Sequence, residues 1–74
     1  MKLVVPTEIY DGETRVGITP DCVPSLVKMG FKVCVQKNAG IRANYTDEDY
    51  KKSGASISPT VKDLYNKADI VIKI

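Results

Sequence analysis

Two cations near opposite ends of the chain are the residues best suited to chemistry: Arg15, in the loop that follows an opening apolar run, and Lys73, at the end of a closing one. A planar guanidinium grips a carboxylate through two parallel hydrogen bonds, while a lysine is a compact point charge that polarises a carbonyl oxygen. Brought together, the pair suits a 2-oxo acid. The plainer reading is that Arg15 clasps Glu13 or Glu8 within its own loop and that Lys73 merely ends a strand. Spacing alone leaves both open. The chain has no histidine, so a Ser-His or Cys-His nucleophile pair is excluded within it and the commonest general acid/base is missing.

Other site chemistries find little support. The five glycines never form G-x-G-x-x-G or G-x-x-x-x-G-K-S/T, so neither familiar phosphate-binding loop is present. Cys22 and Cys34 are too few for a zinc site or a disulfide framework, and both are expected to be buried thiols. Asp47-Glu48-Asp49 after Thr46 looks like a helix cap rather than a ligand set. A signalling receiver module fails for want of an acidic cluster after the first strand. Eleven basic and nine acidic residues are interspersed, giving a net charge of +2 with no basic block for a nucleic acid. The opening Met1-Lys2-Leu3-Val4-Val5-Pro6 is too short an apolar run for a signal peptide, and no segment approaches a membrane span. A cytoplasmic location is expected.

The elements that must position Arg15 and Lys73 follow from apolar periodicity. Lys2 to Pro6, Val-rich and closed by proline, predicts a buried parallel strand. Thr19-Pro20-Asp21 caps a helix carrying Val23, Leu26, Val27 and Met29 and ended by Gly30. Pro24 leaves its start open: with Pro20 first it would break an internal hydrogen bond, and with Asp21 as cap it falls harmlessly in the first turn. Phe31 to Gln36 is a second strand, with Phe31, Val33 and Val35 on one face and Lys32, Cys34 and Gln36 on a face expected to be partly exposed. Asp47 to Lys52 is a second helix closed by Gly54, Ala55 to Ile57 a short strand, and Ser58-Pro59 caps a third helix with Val61, Leu64 and Tyr65 on one face. Asp69 to Ile74 is a final buried strand.

Strands alternating with helices imply an α/β fold, a parallel half-sheet of Rossmann-like or flavodoxin-like type. The common order 3-2-1-4 makes the first and last strands neighbours, about 4.8 Å apart, beside the switch point where ligands bind. Arg15 and Lys73 then face one crevice. With 74 residues the core is marginal, and such a half-sheet is expected to leave apolar surface uncovered and to self-associate.

Five collinear segments carry a resemblance: Glu13-Thr14-Arg15-Val16-Gly17-Ile18-Thr19-Pro20; Leu26 to Gly30 with Phe31-Lys32-Val33; Asn38-Ala39-Gly40; Tyr45-Thr46-Asp47 through Tyr50 to Ser53-Gly54-Ala55; and Ala68-Asp69-Ile70-Val71-Ile72-Lys73. Together the chain resembles the start of the N-terminal domain of the alanine dehydrogenase and proton-translocating nicotinamide nucleotide transhydrogenase family. The resemblance implies that residues 1–74 are an incomplete part of that domain, in a longer protein whose second domain carries the glycine-rich dinucleotide fold. In the dehydrogenases the arginine matching Arg15 holds the substrate carboxylate and the lysine matching Lys73 contacts its carbonyl end. The family's catalytic His and Asp would lie beyond Ile74, so the segment alone is expected neither to bind NAD tightly nor to transfer hydride.

Gly30-Phe31, and Ala43-Asn44-Tyr45-Thr46 after Gly40, look more like transhydrogenase alpha subunits. That branch implies NAD(H) and NADP(H) as cofactors and hydride transfer coupled to proton movement. Its partners would be membrane-embedded and NADP-binding subunits, with homo-oligomerisation and a location peripheral to the inner membrane. The alternatives are an NAD-dependent alanine dehydrogenase and a non-catalytic remnant or binding module. One departure stands out: the family usually has glycine where this chain has Asn38, and asparagine tolerates positive φ better than other non-glycine residues.

Overall fold

A computed structural model describes residues 1–7 and 16–72. In chain order these form β1 (Lys2–Val5), α1 (Val23–Lys28), β2 (Lys32–Gln36), α2 (Asp47–Ser53), β3 (Ser56–Ser58), α3 (Val61–Tyr65) and β4 (Ile70–Val71), with 3-10 turns at Pro20–Cys22 and Ile41–Ala43. The strands make one sheet in the order β3-β2-β1-β4, every pairing parallel. The expected order is therefore observed, and β1 and β4 are hydrogen-bonded neighbours, with Leu3 opposite Ile70 and Val4 opposite Val71.

Strand side chains alternate between the two faces of this sheet. Leu3, Val5, Val33 and Val35 point to one face, where Val23 of α1, Tyr50 of α2, Val16, Ile18, Ala39 and Ala55 complete the main core. Val4 and Cys34 point to the other, and Leu64 of α3 covers them with Ala68 at the margin. Helices on both faces let the central strands be apolar throughout, as a parallel sheet requires. The face expected to be partly exposed is so at its two ends, with Lys32 exposed and Gln36 half-buried, while Cys34 between them is buried under Leu64 of α3. Cys22, expected to be buried, is exposed on the turn ahead of α1.

The local signals sort out as follows. Pro20 opens a 3-10 turn and the α-helix proper begins at Val23, which puts Pro24 in the first turn, where a missing N–H costs nothing. The 3-10 turn takes the Pro20 start, and the residue ahead of α1 is Cys22 rather than the expected Asp21. Thr46 caps α2 as expected: its Oγ1 accepts from the Asp49 N–H at 3.2 Å, while the Asp49 carboxylate accepts from the Thr46 N–H at 2.9 Å. Asn38 takes the left-handed conformation that asparagine tolerates better than other non-glycine residues, at φ 64°. For α3 the cap is Thr60 rather than Ser58, which instead ends β3 with its carbonyl accepting from Lys37. Only Leu64 of the expected apolar face is buried; a five-residue helix turns Val61 and Tyr65 to solvent, and Val71 is exposed beside them. The uncovered apolar surface expected of a half-sheet therefore lies on the α3 side of β4.

Lys2 ties β1 to the end of α3 and to the chain entering β4. Its ammonium donates to the Asp63 and Asn66 carbonyls at the end of α3, and its backbone N–H donates to the Asp69 carboxylate at 2.7 Å. A cation at a helix C-terminus meets orphan carbonyls and the negative end of the dipole. The closing strand is so pinned beside β1.

Candidate functional site

The candidate crevice lies at the carboxyl ends of β1 and β4. β1 leaves the sheet through Pro6, which is buried, to Thr7, whose N–H donates to the Gln36 side-chain carbonyl at 2.9 Å. That bond ties the exits of β1 and β2. The Thr7 hydroxyl is buried with no hydrogen-bond partner among the described residues. The chain is described again from Val16, where Val16 and Ile18 enter the main core and Gly17 lies against the exit of β4. A Cβ at Gly17 would stand 2.7 Å from the Ile72 carbonyl oxygen and 3.1 Å from its carbon, so only a residue without a side chain fits. Ile72 in turn donates its N–H to Val4 at 3.0 Å.

Arg15 and Lys73 lie outside the described residues, as do Glu8 and Glu13, the alternative partners for Arg15. What is described is the backbone on either side of them. Gly17, two residues after Arg15, touches Ile72, one residue before Lys73.

α2 supplies the support behind this rim. Tyr50 is fully buried and its hydroxyl donates to the Ile18 carbonyl at 2.7 Å. Burial pushes the phenol up to about 12, with the neighbouring Tyr45 and Asp49 adding to the effect, so the hydroxyl stays a protonated donor. Gly40 receives the ring: a Cβ there would stand 2.7 Å from Tyr50 Cε2. Tyr45 meets Tyr50 edge-on, with centroids 6.4 Å apart and planes at 71°. Sequence reasoning passed over the Tyr50–Ile18 and Thr7–Gln36 bonds. The signal for the first was present: Tyr50 is the lone apolar side chain in Asp47–Ser53, and a single such residue on a short acidic and basic helix must face the sheet.

The described residues do not fit a dinucleotide pyrophosphate, which needs glycines that let backbone N–H groups approach phosphate. Gly17 and Gly40 are filled by Ile72 and Tyr50, and Gly30 and Gly54 follow α1 and α2 at their C-termini. No group of three His, Cys, Asp or Glu side chains among the described residues is placed to hold a metal ion. Among the described residues, no helix is long and apolar enough to cross a membrane.

Comparison with known proteins extends the geometry. The family model "Alanine dehydrogenase/PNT, N-terminal domain" matches residues 4–74. The chain is 39% identical over 74 residues to the NAD(P) transhydrogenase subunit alpha of Cereibacter sphaeroides, covering all of this chain and 14% of that protein. It is 42% identical over 74 residues to the alanine dehydrogenase of Methanococcus maripaludis, covering all of this chain and 20% of that one. Among solved structures, an L-alanine dehydrogenase superposes with a TM-score of 0.91 at 40% identity, over 99% of this chain and 20% of the other. A transhydrogenase from Sinorhizobium meliloti gives 0.91 at 30% identity, over 99% and 21%. The chain thus spans about a fifth or less of the length of these oxidoreductases. With sequence, fold and strand order in agreement, it belongs to the alanine dehydrogenase/transhydrogenase N-terminal domain family.

Proposed function

We propose that this chain is the opening part of the N-terminal domain of an NAD(P) transhydrogenase alpha subunit, acting in hydride transfer from NADH to NADP coupled to proton translocation. The observation that carries this reading is the loop after Gly40. Ala43-Asn44-Tyr45-Thr46 resembles the transhydrogenase alpha subunits, and it is built into the fold: Ile41–Ala43 makes a 3-10 turn, Asn44 closes it in the left-handed region at φ 67°, and Tyr45 packs on Tyr50. Phe31, the other branch-typical residue, packs against the main core. The hydride chemistry, NAD(H) binding and the catalytic His and Asp belong to chain beyond these residues, and NADP(H) to a partner subunit. This segment contributes a wall of the crevice. The proposed partners are the dinucleotide-binding domain of the same polypeptide, the membrane-embedded and NADP-binding subunits, and further copies of the chain. The place is the cytoplasmic side of the membrane.

A second reading, an NAD-dependent alanine dehydrogenase, is favoured by the rim itself. β1 and β4 are adjacent and parallel, and Gly17 abuts Ile72. In this reading Arg15 grips the carboxylate of alanine or pyruvate and Lys73 polarises the oxo group. Alanine, NAD⁺ and water then yield pyruvate, ammonium, NADH and a proton.

One pair of assays on the full-length protein with its partner subunits separates the readings. Reduction of an NADP analogue by NADH supports the first, and NAD-dependent deamination of alanine supports the second. Activity in neither defeats both and leaves a binding module without redox chemistry.

A further inference from the structure

We propose that the α3-side face of β4 seats a helix from the chain that follows these residues, one that runs beside α3 and delivers a fifth parallel strand to the outer edge of β4; this rests on the reading above that residues 1–74 open a longer domain. α3 packs over β3, β2 and β1. Val71 faces the same side as Val4, its register partner, yet lies outside that cover and is 44% exposed. The wall beside it is apolar too. α3 runs antiparallel to the parallel strands it joins, with Leu64 against the sheet. At about 100° per residue, Val61 and Tyr65 stand about 60° and about 100° round from Leu64, which in a right-handed helix so placed is the β4 side. Both are exposed, so Val61, Tyr65 and Val71 line one open apolar trough.

The topology decides what fills it. α1 and α2 lie on one face and carry the chain outward from β1 to β3, whereas α3 lies on the other and carries it back across to β4. Under the right-handed rule the direction of travel fixes the face of a crossover. A strand added beyond β4 continues the travel made by α3, so its crossover falls on the α3 face, over Val71. One added beyond β3 reverses that travel and needs the opposite face, where Ile70 and Ile72 already pack against the main core. The chain covers only 14% to 21% of the relatives compared above, which leaves ample length for such a unit.

A photocrosslinker identifies the occupant directly. In the full-length protein p-benzoylphenylalanine replaces Tyr65, an exposed aromatic position, and the irradiated product is mapped by mass spectrometry. The crosslink should reach the same polypeptide within about 30 residues after Ile74, because a crossover takes a dozen residues or more and a whole βαβ unit about 30. Val61 serves as a second position for the crosslinker. A crosslink to a second copy, to a partner subunit or to a remote part of the chain, or none into that window from either position, overturns the proposal. Val71→Cys in a Cys22→Ser background gives an independent measure: peptide by peptide, the new thiol should react at least about tenfold more slowly in the native full-length protein than in urea, at every protein concentration. Equal rates in the two states, or protection lost on dilution, also overturn it. A natural polypeptide that stops near residue 74 would instead sink the reading on which the proposal stands.

Discussion

The contact between Gly17 and Ile72 is the tightest constraint on the crevice, and Gly17→Ala tests it directly. The added methyl would stand 2.7 Å from the Ile72 carbonyl oxygen and 3.1 Å from both its carbonyl carbon and its Cγ2. Ordinary contact begins about 0.5–1 Å further out, and the obstacle is backbone rather than the free end of a side chain. Either the return segment or β4 must give way. The segment is held by Tyr50 and by the buried side chains of Val16 and Ile18, whereas the β4 pairing with β1 covers only Ile70 and Val71, flanked by the Asp69–Lys2 and Ile72–Val4 hydrogen bonds. β4 is therefore the element that moves. Overpacking of this kind costs about 1–3 kcal/mol. If the cost falls on local opening of β4, the Ile72 amide should exchange with solvent roughly 5- to 150-fold faster, at about tenfold per 1.4 kcal/mol. The Val35 amide, in the β2 centre of the sheet, should change less than twofold. Site-resolved hydrogen exchange on matched samples makes the measurement. Ile72 exchange within twofold of wild type would show that the rim is not set by this contact.

Further expectations follow from particular contacts. Leu64→Ala should lower stability to urea by about 2–5 kcal/mol, because Leu64 is the fully buried helix side chain over Val4 and Cys34. Thr46→Ala should cost about 1 kcal/mol, seen in the same denaturation assay and as faster exchange in the first turn of α2, since the Asp49 N–H loses its acceptor. For Tyr50 the sign runs toward alkali: a phenol raised from 10.0 to about 12 on folding contributes stability that is complete below pH 10 and lost as pH rises through about 12. Urea midpoints across that interval should fall more steeply for wild type than for Tyr50→Phe; equal slopes would refute the assignment. In the native state a thiol reagent should label Cys22 and spare Cys34, and rapid labelling of both would contradict the burial of Cys34 under α3.

The two faces of the sheet are unequally covered. One carries α1, α2 and the return segment; the other has a single five-residue helix that buries one leucine and leaves Val61, Tyr65 and Val71 exposed. A parallel sheet is stable when both faces are shielded. Stability should accordingly be lowest along β4, the strand that carries one side of the candidate crevice.

Much of this molecule was legible from residue types because the determining forces were local. The Val-rich run after Lys2, the Thr46–Asp49 box, the asparagine at 38 and the glycines after α1 and α2 each mark an element boundary through the conformation or hydrogen bond of a few consecutive residues. Alternation of strands and helices was enough to imply parallel pairing in the order β3-β2-β1-β4. What the sequence alone left open depended on partners distant along the chain. That Cys34 is buried and Cys22 is not reflects where α3 lands; that Val61 and Tyr65 face outward reflects how short it is. That Gly17 must lack a side chain is decided by a carbonyl fifty-five residues later, and the role of Tyr50 by a carbonyl on a loop with no periodicity. Local propensity reaches only as far as the next turn, whereas these contacts exist only once the sheet has closed.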